Sequence, residues 1–277
     1  MSPRTTGWMV VAAVPCVCAA DLLAQKPEPI RDNSLLIEEA YNQEAGVVQH
    51  ISLFLRERET GNWIYTFTQE WPLWGQRSQF SYTIPVVHLT DGPSGSATDL
   101  GDVLLNYRFQ AIGGTGSGPA VAPRVSLILP TGSWREGSGS GAFGFQAMLP
   151  ASFSAGERWA FHLNVGGFVL PRARHAAGAR GTSSGMVGGG SVIFSVTPMV
   201  NFLFESVSAR ASEVGDDGSR RTNSGTLMDL GIRWAHNLGG LQVVPAVAWA
   251  HGFGDDRESG GFLLYLSFEH RFRGESR

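Results

Sequence analysis

The stretch Gly261 to Phe272 has aliphatic or aromatic residues on every second position, almost to the end of the chain. Leu264, Leu266, Phe268 and Phe272 would share one face of a β-strand, and the residues between them would share the other face. An apolar strand face needs a covering layer, which is either a second sheet or the hydrocarbon of a membrane. The rest of the sequence indicates which of the two is present.

The same alternation recurs along most of the chain and predicts about twelve strands. The chain has 36 glycines, and charged residues make up 16% of it, against about 25% in ordinary soluble domains. This composition favours short strands joined by open turns. The predicted strands begin near residues 47, 62, 79, 101, 121, 143, 159, 189, 199, 227, 241 and 261.

The connections between these strands alternate in length over the second half of the chain. Short links at residues 154–157 and 197–198 alternate with long polar links at Pro171 to Val187, Ala209 to Ser224 and His251 to Gly260. Short turns on one rim and long loops on the other are typical of outer-membrane barrels. An even number of strands also returns the last strand to the short-turn side.

Aromatic residues cluster near the ends of the predicted strands, where the headgroup zone of a membrane would lie. In hydrocarbon an unpaired backbone group costs several kcal/mol, so a sheet there must close on itself. We therefore predict an all-β fold, a closed antiparallel transmembrane β-barrel of about 12 strands. The rings at strand ends are Trp63, Trp71, Trp159, Trp234, Trp249 and Phe272.

The first residues have the pattern of a secretory signal peptide. Arg4 precedes an apolar run from Trp8 to Cys18, and small residues follow, so cleavage after either Ala20 or Ala24 fits the pattern. Removal of this segment would also remove both cysteines of the chain, and no disulfide is therefore expected. The predicted regions are a signal peptide at 1–24, a periplasmic or lumenal segment at 25–46, the barrel at 47–272 and a short tail at 273–277.

The segment DNSLLIEEAYNQ before the first strand has the spacing of a short helix. We expect a short N-terminal helical or plug segment, either in the periplasm or folded into the lumen. Glu38, Glu39 and Tyr41 are the candidate plug residues, and a solvated periplasmic helix is the alternative.

Nine polar residues fall on the minority face of the predicted strands, which would line the lumen of a barrel. They could form a constriction that selects solutes, or an ion-paired interior that only maintains the barrel's shape. Glu205 is a lone acid in the apolar run MVNFLFESV, and we expect an inward ion pair with an arginine rather than a gating role. The nine candidates are Asp102, Asn106, Arg108, Arg124, His162, Asn164, Glu205, Asp229 and Arg233.

His50 and Ser52 are the residues that hint at an enzyme, because a histidine and a serine two apart share one strand face. This pair resembles that of an outer-membrane phospholipase. The alternative is that both residues line the lumen. The scattered histidines show no metal-ligand spacing, and four loop acids offer either a divalent cation site or solvated loop tips. These acids are Asp216, Asp217, Asp255 and Asp256.

Several stretches together resemble a family of bacterial outer-membrane transporters related to proteins encoded beside meta-cleavage phenol-degradation pathways. The most specific is LLIEEAYNQEAGVVQHI, and the others are GDVLLNYRF, PRVSLILPTG, FHLNVG, MVNFLFE and YLSFEHRF. The resemblance implies a closed barrel that passes small, often hydrophobic molecules. The terminal strand, with Leu264, Leu266, Phe268 and Phe272, also looks like the signal read by the outer-membrane assembly machinery.

The sequence thus predicts a bacterial outer-membrane channel that passes small hydrophobic or aromatic solutes by passive diffusion. The expected partners are membrane lipid, the assembly machinery and the solute. A formal charge of -3 gives no reason to expect nucleic acid, and we expect neither a cofactor nor a metal. The alternatives are a lipid hydrolase that uses His50 and Ser52, and a structural or adhesive barrel that acts through its long outer loops.

Overall fold

A computed structural model describes residues 30, 34–113, 118–238, 241–255 and 260–271. These residues form β-strands and connections, and none of them is helical. The strands are β1 (Val47–Glu57), β2 (Trp63–Leu73), β3 (Ser78–Gly92), β4 (Gly95–Leu100), β5 (Val103–Phe109), β6 (Ala120–Val121), β7 (Arg124–Leu129), β8 (Gly144–Ala155), β9 (Trp159–Arg174), β10 (Arg180–Thr197), β11 (Val200–Val214), β12 (Arg220–Trp234), β13 (His236–Leu238), β14 (Leu241–Gly254) and β15 (Gly261–Arg271).

The long strands close into a barrel. Each pairs antiparallel with its neighbour in the chain, β12 pairs with β14, and β15 pairs back onto β1 over their full lengths. The short strands β4, β6 and β13 lie beside β3, β8 and β14. The prediction of a closed barrel with 12 strands is confirmed.

The two faces of the wall have opposite exposure. On β15, Leu264 is 48% exposed, whereas the adjacent Leu263 is completely buried inside the barrel. Leu105 and Phe161 lie on the same outer face, as the register of their strands shows. The exposed outer side chains include Val125, Phe145, Leu163, Phe202, Phe204, Leu230, Trp249, Phe262 and Leu266.

This outer surface has the character of a membrane barrel, because none of the described residues forms a layer over its apolar side chains. In the part of the chain that the structure describes, no helix has the length and hydropathy needed to cross a membrane.

Two of the predicted long loops are instead extensions of the strands. β9 and β10 continue to a tight turn at residues 175–179, and β11 and β12 continue to a turn at residues 215–219. The prediction of loops at 171–187 and 209–224 is wrong. Polar and small residues lie on both faces of these extensions, so the regular apolar alternation that reveals a half-buried strand is missing from them.

The barrel has two different ends. We call the end where β1 begins and β15 ends the turn end, since it carries the short links at residues 156–158 and 198–199. The opposite end, which carries the extended hairpins, is the hairpin end. The predicted signal peptide, Phe272 and the tail lie outside the described residues.

Candidate functional site

Residues 34–46, here called the plug segment, lie inside the barrel at its turn end. Ser34 contacts Ser191 of β10, with 2.9 Å between the two hydroxyl oxygens. At the other end of the segment, the backbone N–H of Gln43 donates to the side-chain oxygen of Gln79 on β3 at 2.8 Å. The side-chain amide of Gln43 donates to the side-chain oxygen of Gln49 on β1. The segment therefore follows the inner wall past most of the strands before it enters β1.

Glu205 of β11 holds the start of the plug segment. Its carboxylate accepts the backbone N–H groups of Leu35, Leu36 and Ile37 at 3.1, 2.9 and 3.2 Å. The Glu205 side chain is completely buried. Hydrogen bonds from several N–H groups to one carboxylate are strong and hold both partners in place.

These bonds explain why the predicted helix is absent. In a helix, backbone N–H groups bind carbonyls four residues earlier, but here wall side chains take them. The helix prediction is wrong, because the apolar spacing at residues 36–41 serves contacts with the wall. Among the described residues, backbone amides are the hydrogen-bond donors to Glu205. The expected arginine is present as a neighbouring charge, because Arg233 interacts with Glu205 electrostatically.

Side-chain amides of the wall hold the middle of the plug segment. They bind its backbone N–H and C=O groups, as the backbone of a neighbouring strand would. Asn164 accepts the N–H of Glu38 and donates to its carbonyl, both at 2.8 Å. Gln110 accepts the N–H of Asn42 at 3.0 Å and donates to the carbonyl of Ala40 at 2.7 Å. A primary amide satisfies both backbone groups of a buried peptide in this way.

Arg108 of β5 binds three residues of the plug segment. Its guanidinium donates to the side-chain oxygen of Asn42 at 2.8 Å and to the carbonyls of Glu39 and Tyr41 at 3.2 and 2.6 Å. The carboxylate of Glu70 lies 3.7 Å away on β2. The Arg108 side chain is almost fully buried, so these contacts satisfy a charge that is removed from water.

Arg124 of β7 forms an ion pair with the plug segment. Its guanidinium lies 2.6 Å from one carboxylate oxygen of Glu38 and donates to the other at 3.0 Å. It also donates to Asn106 at 2.8 Å and to Gln146 at 3.1 Å. Asn106 thus contacts the plug segment indirectly, by orienting Arg124.

A second polar group surrounds Glu39, which is buried. His162 Nε2 lies 3.6 Å from the Glu39 carboxylate, and Arg233 lies 4.0 Å from it. His162 Nδ1 is 2.7 Å from Ser152 Oγ, which also accepts the N–H of Ala40 at 2.8 Å. This group therefore links three strands of the wall, β8, β9 and β12, to the plug segment.

Asp229 completes the polar wall on β12. It lies directly opposite Glu205 in the register of β11 and β12, and both of its carboxylate oxygens are buried without a hydrogen-bond partner among the described residues. Asp229 is therefore placed to act on the plug segment through Glu205.

Apolar contacts supplement the polar ones. Leu35 packs in a buried cluster with residues of β10, β11, β14 and β15, including Leu203 and Leu263. Ile37 lies against Gly189, where an added Cβ would come within 2.7 Å of the Ile37 Cδ1 atom. Tyr41 packs against a small cluster formed by Ala40 and two alanines near β6.

Between the plug segment and the hairpin end, many of the inward side chains are apolar or small, whereas Asp102, Glu213 and Arg221 place charges at the hairpin end itself. The registers of the strands place the apolar side chains on the same face as the plug-binding residues, further along the barrel. The larger apolar ones are Leu55, Leu104, Ile128, Phe168, Val187, Val207 and Leu227.

Most of the predicted lumen residues thus meet at the plug segment, but Asp102 does not. It lies at the hairpin end, where its carboxylate accepts the N–H groups of Gly132 and Ser140 at 3.0 and 2.8 Å. Sequence reasoning missed several uncharged contributors, although their inward position on the strands was a usable signal. They are Gln49, Gln79, Gln110, Ser152 and Ser191.

The predicted hydrolase pair lies on the outer face of the barrel. The His50 ring stacks on Phe268 with 4.5 Å between centroids, and its Nε2 is 3.4 Å from that of His270. Ser52 Oγ bonds the Tyr65 hydroxyl at 3.1 Å. The expectation that both residues line the lumen is wrong, and each has a different partner, so the geometry of a catalytic pair is not formed.

The loop acids show ordinary surface contacts. Asp216 pairs with Arg221, and Asp217 accepts the N–H of Ser219 at 2.9 Å. Within the described ranges, no three histidine, cysteine or acidic side chains come together as metal ligands would. Asp256 lies outside those ranges.

Comparisons with known proteins show the fold of outer-membrane channels. No protein-family model and no curated protein matches the sequence. Among solved structures, the COG4313 outer membrane channel from Pseudomonas putida F1 matches with a TM-score of 0.62 and 14% identity, covering 84% of this chain and 98% of that one. The NanC porin matches with a TM-score of 0.53 and 8% identity, covering 81% and 100%. At these identities the likeness concerns the fold alone.

Proposed function

We propose that this protein is a bacterial outer-membrane channel that passes small hydrophobic or aromatic solutes by passive diffusion, and that the plug segment closes it in the state described above. The observation that carries the proposal is the chemistry of the inner wall. Its polar side chains bind the backbone of a segment that is joined to the barrel only through β1, so the segment can leave without unfolding the wall. The fold shared with known outer-membrane channels also supports a channel function.

The lining between the plug segment and the hairpin end supports an apolar solute. A polar solute that enters this part of the lumen would lose bound water and find few hydrogen-bonding partners, at a cost of about 1–3 kcal/mol for each polar group. An aromatic or aliphatic solute would lose little. The resemblance to transporters encoded beside phenol-degradation pathways makes phenol a suitable first test solute.

The outer-membrane location rests on two features. The exposed apolar face of the closed barrel suits a bilayer, and Leu264 and Leu266 on β15 point outward from the last strand. An alternating apolar terminal strand is what the assembly machinery would recognise, so we include that machinery and membrane lipid among the partners.

A flux measurement in proteoliposomes tests this function. Vesicles containing the protein should take up phenol-like solutes several-fold faster than empty vesicles, while a sugar of similar size should show a much smaller increase. Equal acceleration of both solutes would contradict the apolar selectivity. A barrel that stays sealed to both, even after the plug contacts are weakened by Glu205→Gln, would contradict the channel function.

A further inference from the structure

The outer face of β10, β11 and β12 changes in character along its length. Near the turn end it carries Phe202, Phe204 and Leu230, which are 49%, 45% and 65% exposed. Further along β11 the outward residues become Ser208 and then Arg210, both exposed. Arg210 is about eleven residues from the turn end, and at about 3.3 Å per residue and a tilt of about 40° this is about 28 Å along the membrane normal. Arg210 therefore lies at the edge of the hydrocarbon layer, on the side of the hairpin end.

Beyond this edge, the outer face presents guanidinium and hydroxyl groups. Arg220 extends across β11 and donates to Ser184 Oγ of β10 at 2.7 Å. Ser212 and Thr222 form a hydroxyl pair at 2.8 Å between Arg210 and Arg220. A further pair, Ser208 with Thr226, lies at 2.8 Å on the membrane side.

The charge on this face is unbalanced. Among the described residues that point outward from β10, β11 and β12, Arg210 and Arg220 are cations and none is acidic. The nearby acids point elsewhere or have other partners: Glu213 alternates to the inner face, and Asp216 in the turn binds Arg221. Asp255 after β14 accepts the backbone N–H of Ser224 at 2.7 Å. The surface therefore matches an anionic partner at the membrane boundary.

We propose that this surface binds a phosphorylated glycolipid of the membrane leaflet on the hairpin side. Guanidinium groups bind phosphate through paired hydrogen bonds, and the row of hydroxyls suits the hydroxyl groups of a saccharide. Met186, which is 70% exposed and lies opposite Arg210 in the register, and Phe253, which lies opposite Thr226 on the membrane side, offer apolar surface for acyl chains. The inference rests on the proposed placement in a membrane, but not on transport through the lumen.

A binding titration tests the proposal on the full chain in detergent. The probes are lipid A with its two sugar phosphates, the same lipid without phosphates, and phosphatidylglycerol, with bound lipid counted by native mass spectrometry. The double variant Arg210→Ala/Arg220→Ala should bind lipid A at least about tenfold more weakly, because two charge-assisted contacts are lost. Removal of the phosphates should weaken binding to the wild type to a similar degree.

Arg221→Ala is the matched control, because Arg221 is adjacent in sequence, lies on the other face and pairs with Asp216. It should bind lipid A like the wild type. Equal binding by the double variant, or equal binding of the dephosphorylated lipid, would overturn the proposal, and equal affinity for phosphatidylglycerol would reduce the surface to a general anion site. Solute flux by the double variant should stay at the wild-type level, so failure here is distinguishable from failure of the channel function.

Discussion

The two ends of the lumen are built from the same alternating strands but have different linings. At the turn end, Arg108, Asn164 and Glu205 are buried and bonded to the plug segment. Between the plug segment and the hairpin end, many inward positions carry apolar side chains such as Leu55 and Val207. The difference indicates that inward polar residues are concentrated where a buried backbone needs partners, rather than spread along a water-filled pore.

The largest effect should come from Arg108, which binds three residues of the plug segment. In Arg108→Ala, two backbone carbonyls and the carboxylate of Glu70 lose a buried partner, and breaking such a buried charge pair costs about 3–5 kcal/mol. We expect a large increase in the open probability of single channels in planar bilayers. Arg77→Ala is the control, since the Arg77 guanidinium lies 5.0 Å over the Phe109 ring, and it should leave the open probability unchanged. No difference between these two variants would contradict the assigned role of Arg108.

A smaller effect is expected from Glu205→Gln. The amide keeps one acceptor but presents N–H groups to the donors of Leu35, Leu36 and Ile37, and the loss of charge-assisted bonds costs about 2–3 kcal/mol. Open probability should rise by about ten- to a hundredfold. Asp229→Asn, which keeps the shape of the neighbouring group, should change it less. A larger effect from Asp229→Asn would show that Asp229, rather than Glu205, is the main holding group.

The hairpin end should govern selectivity rather than closure. Val207→Thr adds one hydroxyl to the apolar lining at nearly constant volume, so the ratio of sugar flux to phenol flux should rise by a few-fold. Val192→Thr places the same change on the outer face and should leave the ratio unaltered. If both variants gave the wild-type ratio, the apolar lining would not set the selectivity.

The smallest effect concerns Tyr41 and alkaline pH. Burial and the adjacent Glu39 carboxylate raise the pKa of Tyr41 above its usual value of 10.0, while a hydrogen bond with Ser154 lowers it. The docked segment therefore favours the neutral phenol, and docking should weaken as the pH rises from 10 through the raised pKa. Flux measured against pH should increase in that range for the wild type and much less for Tyr41→Phe. Identical profiles would remove Tyr41 from the explanation.

Several features could be predicted from sequence because they depend only on the alternation of side chains along a single strand. Strands such as β15 and β5 have apolar residues at every second position on the outer face, while the inner face carries most of their polar residues. The same rule located Arg108 and Asn164 on the inner face. The same alternation also places Gln79 and Gln110 on the inner face. They were overlooked because uncharged side chains suggest no particular chemistry.

Other features depend on contacts between distant parts of the chain. The plug segment has the spacing of a helix, and only the wall groups 68–170 residues further along the chain, such as Gln110 and Glu205, give its backbone a better set of partners. Asp102 has the same alternation as Asn106, but its partners at Gly132 and Ser140 place it at the other end. The strand extensions carry no regular apolar alternation because polar and small residues lie on both of their faces.

A reversible covalent lock tests most directly whether the plug segment closes the lumen. The Ser34 and Ser191 hydroxyl oxygens are 2.9 Å apart, which is close enough for a disulfide of about 2.05 Å in Ser34→Cys/Ser191→Cys. The predicted result is low conductance in planar bilayers when this variant is oxidised, and a return to the wild-type conductance after reduction. Wild-type conductance in the oxidised, cross-linked protein would contradict the account.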